Sequence, residues 1–580
     1  MKRFFSLLVA TIVSITAFGQ WVSPGNGTNY NLSSLCIAAY GAVSMSQSGH
    51  YQIHQDITIS ANDILYLESG ATDIQIDNGV TITINGAIMT ENRVNSLHIT
   101  GDSTGTSFFM LCLGNAATAN LSNVVFQYGQ KIQLLNSGQV VFDNCEFTNF
   151  SDAVINYMNC DPIIQNCYFH DNQKAAVTSA VNTTGSPKIL NNHFYNNDLS
   201  NANVPQINIG PGDQDTIIIM GNYIEGVAQN MSGGIGIMNM GSSNTILLVK
   251  DNVIENNRYG YTQNGTNIYA IIEDNIIRNN NLETNPNNGG SGISIYGSTT
   301  TCGAKLRRNL IHGNLWGITA IYNHNIDMGT AEDPGGNVLY DNGNNNVEYE
   351  LYNNSSCNMS AVGNYWGDND ASHAEDVIYH QNDNSSYGLV TYNPVMELYP
   401  DMLDFRILVS NNPQITNFYD EDIVFSFSEY GDTLFYFFGC AVPDLSSIVP
   451  TVTIPFGVSC SPNPEEIVNL YNAVTYTLTT PHGTSKDWVV VAYIGGGVDE
   501  HNDISVSIVQ NPIINNIIHL RNESGKSISV EVHSITGQLV YQAESAEGSF
   551  SVSTSDWEKG IYLVTVSQDG KRKIFKVVNL

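Results

Sequence analysis

Glu225, Glu255, Arg278 and His312 stand at the same place in four successive copies of a short recurring motif, so the element the motif builds will bring them together. Two carboxylates beside a guanidinium and an imidazole are parts that bind sugar hydroxyls or a metal ion, and paired carboxylates also serve acid/base cleavage of glycosidic bonds. The same four residues are also what a solvated face with cross-strand charge pairs would contain. The element that positions them therefore has to be read next.

From about residue 120 to 367 the motif reads Asn or Cys, any residue, a large apolar residue, any residue, then Asn, Asp or Gly. Copies start at Cys145, Cys167, Asn192, Asn222, Asn252, Asn275, Asn309, Asn337 and Asn364, with a degraded copy at Val124. They lie 21 to 34 residues apart, about 27 on average. Between copies are two further short β-type segments, such as Gly234–Met240 and Thr245–Lys250. Each period thus holds three strands and three turns, which is one coil of a parallel β-helix. The third position reads Phe126, Phe147, Phe169, Phe194, Ile224, Ile254, Ile277, Ile311, Leu339 and Trp366, as a stacked interior column should. The first position is an Asn ladder whose side-chain amides can bond from coil to coil.

The fourth position faces outward, and neighbouring strands lie about 4.8 Å apart. Glu225, Glu255, Arg278 and His312 are thereby expected to form one exposed strip, a candidate ligand-binding site, with the long insertions after Asn192, Asn222, Asn252 and Asn275 as a wall. Cys145 and Cys167 replace Asn on adjacent coils and make a candidate disulfide, within the reach such a bond permits. These repeats resemble the right-handed parallel β-helix of pectin-lyase-like proteins, over roughly residues 50 to 395. The resemblance implies the fold and leaves the activity open, because lyases, hydrolases, epimerases and inert adhesins share this scaffold.

Outside the repeat, Lys2 and Arg3, an apolar run to Ala17 and the small-x-small site ending at Gly19 read as a signal peptide over residues 1–19. Residues 20–50 are expected to cap the helix that then occupies 51–400. No later stretch is long and apolar enough to be a transmembrane segment. Near Pro400 the Asn periodicity stops, and short alternating segments such as Ile423–Phe427, Leu434–Phe438 and Val474–Thr479 predict a β-sandwich over 401–498. Tyr476–Thr479 and Gly483–Val491 resemble the last hairpin of immunoglobulin-like modules. Cys440 and Cys460 are a candidate disulfide within this domain. A linker at 499–503 leads to Asn511-Pro512, Ser534–Val540, Trp557–Val566 and a last segment after Gly570. These features resemble the C-terminal sorting domain of type IX secretion cargo, over 504–580; Gln510 departs from the Pro usual before Asn-Pro. The resemblance implies the type IX secretion machinery as a partner, passage through the periplasm, and a secreted or surface-anchored product. The fold expected is all-β throughout.

Fifty-four acidic residues against 21 basic ones give a net charge of −33. Such a surface excludes nucleic acid and anionic membranes as partners and disfavours polyanionic glycans unless bound Ca²⁺ inverts the local charge. The Asn-Thr-Asp, Asp-Asp, Gly-His-Gly and Arg-Ile-Lys arrangements of polygalacturonases are missing, and the five Lys and four Arg between residues 120 and 370 are scattered. Three classes stay open: a surface protein that binds extracellular polysaccharide or mediates adhesion, a polysaccharide lyase or glycoside hydrolase with an unfamiliar site, and a structural surface protein.

Overall fold

The computed structural model describes residues 20–92, 95–101, 109–428, 431–438, 442–494, 504–508, 511–513, 516–535, 537–545, 548–569 and 571–579. The expected signal peptide, the linker at 499–503, Cys440, Gln510 and Gly570 lie outside the described residues. The chain divides into two compact units between Leu398 and Tyr399.

The first unit is a right-handed β-helix of three sheets with 14, 14 and 13 strands. The chain visits sheet 1, sheet 2 and sheet 3 in turn and pairs each strand, in parallel, with the equivalent strand one coil on; antiparallel pairing sets Val43–Gln47 against His50–Ile53 within sheet 3 and Gly343–Asn344 against Val347–Glu348 in a separate hairpin. The stack opens earlier than the repeat suggests. Trp21 pairs with Ile57 and Tyr30 with Leu65, so the segment expected to be only a cap also supplies strands of the first coil. Inside that coil a helix, Leu32–Ala38, starts on the Asn31 side chain in a capping box and buries Leu32 and Leu35 over the end of the core.

The motif forms sheet 3 because of what the backbone demands at its ends. Residues before the strand take φ near +50 to +70° (Asn166, Asn191, Gly221, Asp251, Asp274), and so do residues after it (Asp171, Asn196, Asn256, Asn279, Gly313, Asp341). That conformation costs an ordinary L-residue roughly 1–2 kcal/mol, and Asn, Asp and Gly tolerate it best. Between the turns the interior column stacks Phe126, Phe147, Phe169 and Phe194 with ring centroids 5.2, 4.5 and 5.0 Å apart. It continues fully buried through Ile224, Ile254, Ile277, Ile311, Leu339 and Trp366.

The Asn ladder runs from Asn192 through Asn222, Asn252, Asn275, Asn309 and Asn337 to Asn364. Each backbone N–H and each Nδ2 donates to the next Oδ1 at 2.8 to 3.2 Å. Cys167 donates its N–H to Asn192 Oδ1, and Cys145 donates its N–H to Cys167 Sγ at 3.5 Å, so two thiols occupy the first rungs. Both are buried free thiols one coil apart. A second ladder stands at the sixth motif position: Asn257, Asn280, Asn314 and Asn342 repeat the pattern, and Asn342 ends on both oxygens of the buried Glu350. Where Val227 interrupts this column, Gln206 reaches in to join Asn197 and Asn257.

The second unit holds two sandwiches with separate cores. Residues 404–494 form sheets of three and five strands around Phe405, Leu434, Tyr476 and Trp488. Residues 506–579 form sheets of three and four strands around Leu520, Val530 and Val564, with Gly537 turning at φ +85°. Cys460 carries a free thiol.

Candidate functional site

Sheet 3 brings the four strip residues into one column: Glu225 pairs with Glu255, Glu255 with Arg278, and Arg278 with His312. The expected exposure fails at Glu255, which is only 6% accessible. Tyr223, its diagonal neighbour one coil earlier, donates its hydroxyl to one carboxylate oxygen, and Arg278 Nε bonds the other. Burial works against the charge on Glu255, yet these two bonds override it and hold the carboxyl below its ordinary pKa. Burial and the Glu255 carboxylate push the Tyr223 hydroxyl well up. A general acid of glycosidic cleavage needs its pKa raised, and the shift at Glu255 runs the other way. His312 stacks on Tyr340 at 4.7 Å, and burial together with Arg278 lowers its pKa, leaving a neutral imidazole at pH 7. The second motif position adds a row that the sequence reading passed over. His193 lies between the rings of Tyr168 and Tyr223, 4.9 Å from each, and its Nε2 is buried without a hydrogen-bond partner.

Sheet 1 carries a different surface. Its central column runs in unbroken register through Thr58, Thr83, Cys112, Gln133, Asn156, Thr178, Asn208, Gly236, Thr262, Ser294, Thr319, Tyr352 and Tyr379, of which Thr58, Gly236 and Thr319 are buried and the other ten are partly exposed. No member is charged, in a chain of net charge −33. The column ends in an aromatic cluster. Tyr352 and Tyr379 stack at 4.8 Å, Trp316 lies 4.7 Å from Tyr349 and 5.2 Å from Tyr352, and Tyr387 is 5.9 Å from Tyr379. All five rings are partly exposed.

Both edges of this floor are built up. Segments between sheet 3 and sheet 1 join into a ridge, although the one after the Asn252 copy is only residues 256–260 and not the long insertion expected there. Asn201 Nδ2 donates to Asn230 Oδ1, Asn230 Nδ2 to Glu283, and Arg258 to the Asn288 carbonyl, while Trp316 Nε1 donates to the Pro286 carbonyl at 2.9 Å. On the other edge, in turns between sheet 1 and sheet 2, Asp161, Asp213 and Asp215 place carboxylate oxygens within 4.8 Å of one another. The Ser186 N–H donates to Asp161 and its hydroxyl to Asp213. Burial, with Asp213 close by, raises the Asp161 pKa. Asp213 is lowered, because the Ser186 and Asp215 bonds overcome its own burial. Three carboxylates in this arrangement are hard oxygen ligands of the kind Ca²⁺ accepts.

The sheet 1 column was missed because its members recur at irregular spacing, and no motif marks its strands. The second Asn ladder had a signal in plain sight: Asn follows the motif at Asn172, Asn197, Asn257, Asn280, Asn314 and Asn342.

Residues 41–204 match the right-handed beta helix region family, 248–372 match a family of unknown function (DUF1565), and 511–579 match the secretion system C-terminal sorting domain. No curated protein matches the chain. Among solved structures, the periplasmic alginate epimerase AlgG is 14% identical, with 64% of this chain and 84% of that one covered and a TM-score of 0.41. The Dettilon tailspike protein is 11% identical, covering 87% and 86%, with a TM-score of 0.22. A tailspike of E. coli bacteriophage HK620, solved with a pentasaccharide, is 11% identical, covering 76% and 85%, with a TM-score of 0.22. Among the described residues no helix is long and apolar enough to cross a membrane. The sorting domain directs export by the type IX system to the cell surface or the extracellular space. The chain is a right-handed parallel β-helix protein that ends in a type IX secretion sorting domain.

Proposed function

We propose that this exported β-helix protein binds polysaccharide along the outer face of sheet 1, with the glycan chain lying parallel to the helix axis. The observation that carries this reading is the uncharged thirteen-residue column that ends in the Trp316, Tyr349, Tyr352, Tyr379 and Tyr387 cluster. Over Gln133, Asn156, Thr178 and Asn208, and again over Thr262 and Ser294, hydroxyl and amide side chains recur one coil apart at about 4.8 Å, close to the length of one pyranose in an extended chain. They can therefore meet successive sugar hydroxyls in register. The aromatic rings offer apolar surface for the C–H faces of the sugars at the end of the track. The lysine on this face, Lys131, is tied to Asp152, and an uncharged column on a strongly acidic protein suits neutral glycans and repels polyanionic ones. The strip on sheet 3 fits a supporting role better than a catalytic one, because Glu255 and Arg278 already satisfy each other.

The test is affinity electrophoresis of the full-length protein in gels holding neutral or acidic polysaccharides. Retardation by at least one neutral glycan is expected, and Y352A/Y379A should weaken it about tenfold if each ring contributes about 0.5–1.5 kcal/mol. Retardation only by polyanions, or unchanged retardation of the double variant, overturns the assignment.

A further inference from the structure

The sandwich between the β-helix and the sorting domain carries its own aromatic surface. In its five-stranded sheet, Thr433–Phe438 pairs in parallel with Ser485–Ile494, setting Phe435 opposite Val491 and Phe437 opposite Tyr493. Alternation sends Leu434 and Phe438 into the core and leaves Phe435, Phe437, Val491 and Tyr493 on the outer face, each partly exposed. The three rings touch: Phe437 and Tyr493 stack at 4.8 Å, and Phe435 lies 5.5 Å from Phe437. The neighbouring strand, Val474–Thr479, turns Thr475, Thr477 and Thr479 to the same face. The sole charged group among these rows is Asp487, which accepts a hydrogen bond from the Thr477 hydroxyl at 2.6 Å.

We infer that this face is a second carbohydrate-binding site, for a neutral polysaccharide, and that the sandwich is a binding module in its own right. Three observations select the ligand class. Contiguous half-exposed rings on a small domain mark a surface kept apolar for contact, since solvated sheet faces need no Phe-Phe-Tyr cluster. The three-threonine row beside them offers hydroxyl donors and acceptors to one edge of a ligand whose other face is apolar, which is the amphipathic character of a pyranose ring. Asp487 on the face and the Lys576 ammonium beside Tyr493 are one charge of each sign, which is not the row of cations that the carboxylates of an acidic glycan or the charged rim of a protein interface would need. This site stands independently of the one on sheet 1. Two glycan sites on one chain would raise its hold on a long polysaccharide by effective concentration, without any new contact.

The full-length protein is incubated with insoluble neutral polysaccharides (cellulose, chitin and a β-1,3-glucan), and the fraction sedimented is measured as a function of polysaccharide load. F435S/F437S alters outward side chains only. Tyr493 is left in place because the Lys576 ammonium lies 5.9 Å from its ring centre. Both the parent and Y352A/Y379A serve as backgrounds, so failure of the sheet 1 site is read separately. Sedimentation that persists in Y352A/Y379A, falls at least tenfold when F435S/F437S is added and returns with F435W/F437W in the same background supports the inference. It is overturned if Y352A/Y379A protein sediments with none of the polysaccharides, if F435S/F437S leaves its sedimentation unchanged, or if the tryptophan pair fails to restore it.

Discussion

Glu350 ends the second Asn ladder, and its burial makes the stability of the last coils depend on pH. The carboxyl is 1% accessible, and burial pushes its pKa from the ordinary 4.5 to about 8, although the Asn342 side chain and N–H donate to its oxygens. The folded pKa lies above the unfolded one, so the unfolded chain releases this proton at lower pH than the folded chain does. The contribution is intact below about pH 4.5, declines as pH rises and is fully lost above about pH 8. A displacement of roughly 3.5 pH units corresponds to about 5 kcal/mol across that window. Glu350→Gln removes the titration and leaves one of the two Asn342 donors without an acceptor, a loss of about 1–3 kcal/mol that does not vary with pH. Urea unfolding followed by tryptophan fluorescence reports these coils through Trp316 and Trp366, and a solenoid can open locally there. E350Q should be the less stable protein at pH 5 and should close the gap, or overtake the parent, by pH 8.5. His312 and His324, whose pKa values burial lowers, contribute with the opposite slope in both proteins and cancel in the difference. Parallel profiles for parent and variant would refute the argument, because the carboxyl would then be ionised in the folded state throughout.

Arg278→Ala should destabilise the β-helix by about 1–3 kcal/mol, because it strands the buried Glu255 carboxylate with Tyr223 as its one remaining partner. E255Q/R278A should recover part of that loss in thermal melts, and no recovery would show that Arg278 acts through packing. Deleting Ile504–Leu580 should leave a folded protein in the periplasm, since the two preceding domains have their own cores; unchanged surface delivery of the truncation, seen by protease shaving of intact cells, would refute the sorting assignment.

What could be read in the sequence follows from where the backbone dictates residue identity. The φ near +54° at Asn191 and Asn196 and the bonds that hold Asn192 admit few residue types, so these positions repeat visibly and reveal coil, register and interior column. Register in turn placed Glu225, Glu255, Arg278 and His312 in one column. It could not say which members would be exposed, because burial of Glu255 depends on a tyrosine from a different motif position on another coil. The outward column of sheet 1 meets no backbone demand at all. Thr178, Asn208 and Thr262 sit in strands whose inward neighbours alone are constrained, and the irregular insertions destroy any fixed spacing between them. The signal was there only as a missing one: coil after coil without Asp, Glu, Lys or Arg in a column of which ten of the thirteen members reach the surface. In a chain this acidic, a long outward column without charge needs an explanation that solubility does not provide, and contact with an uncharged ligand provides one.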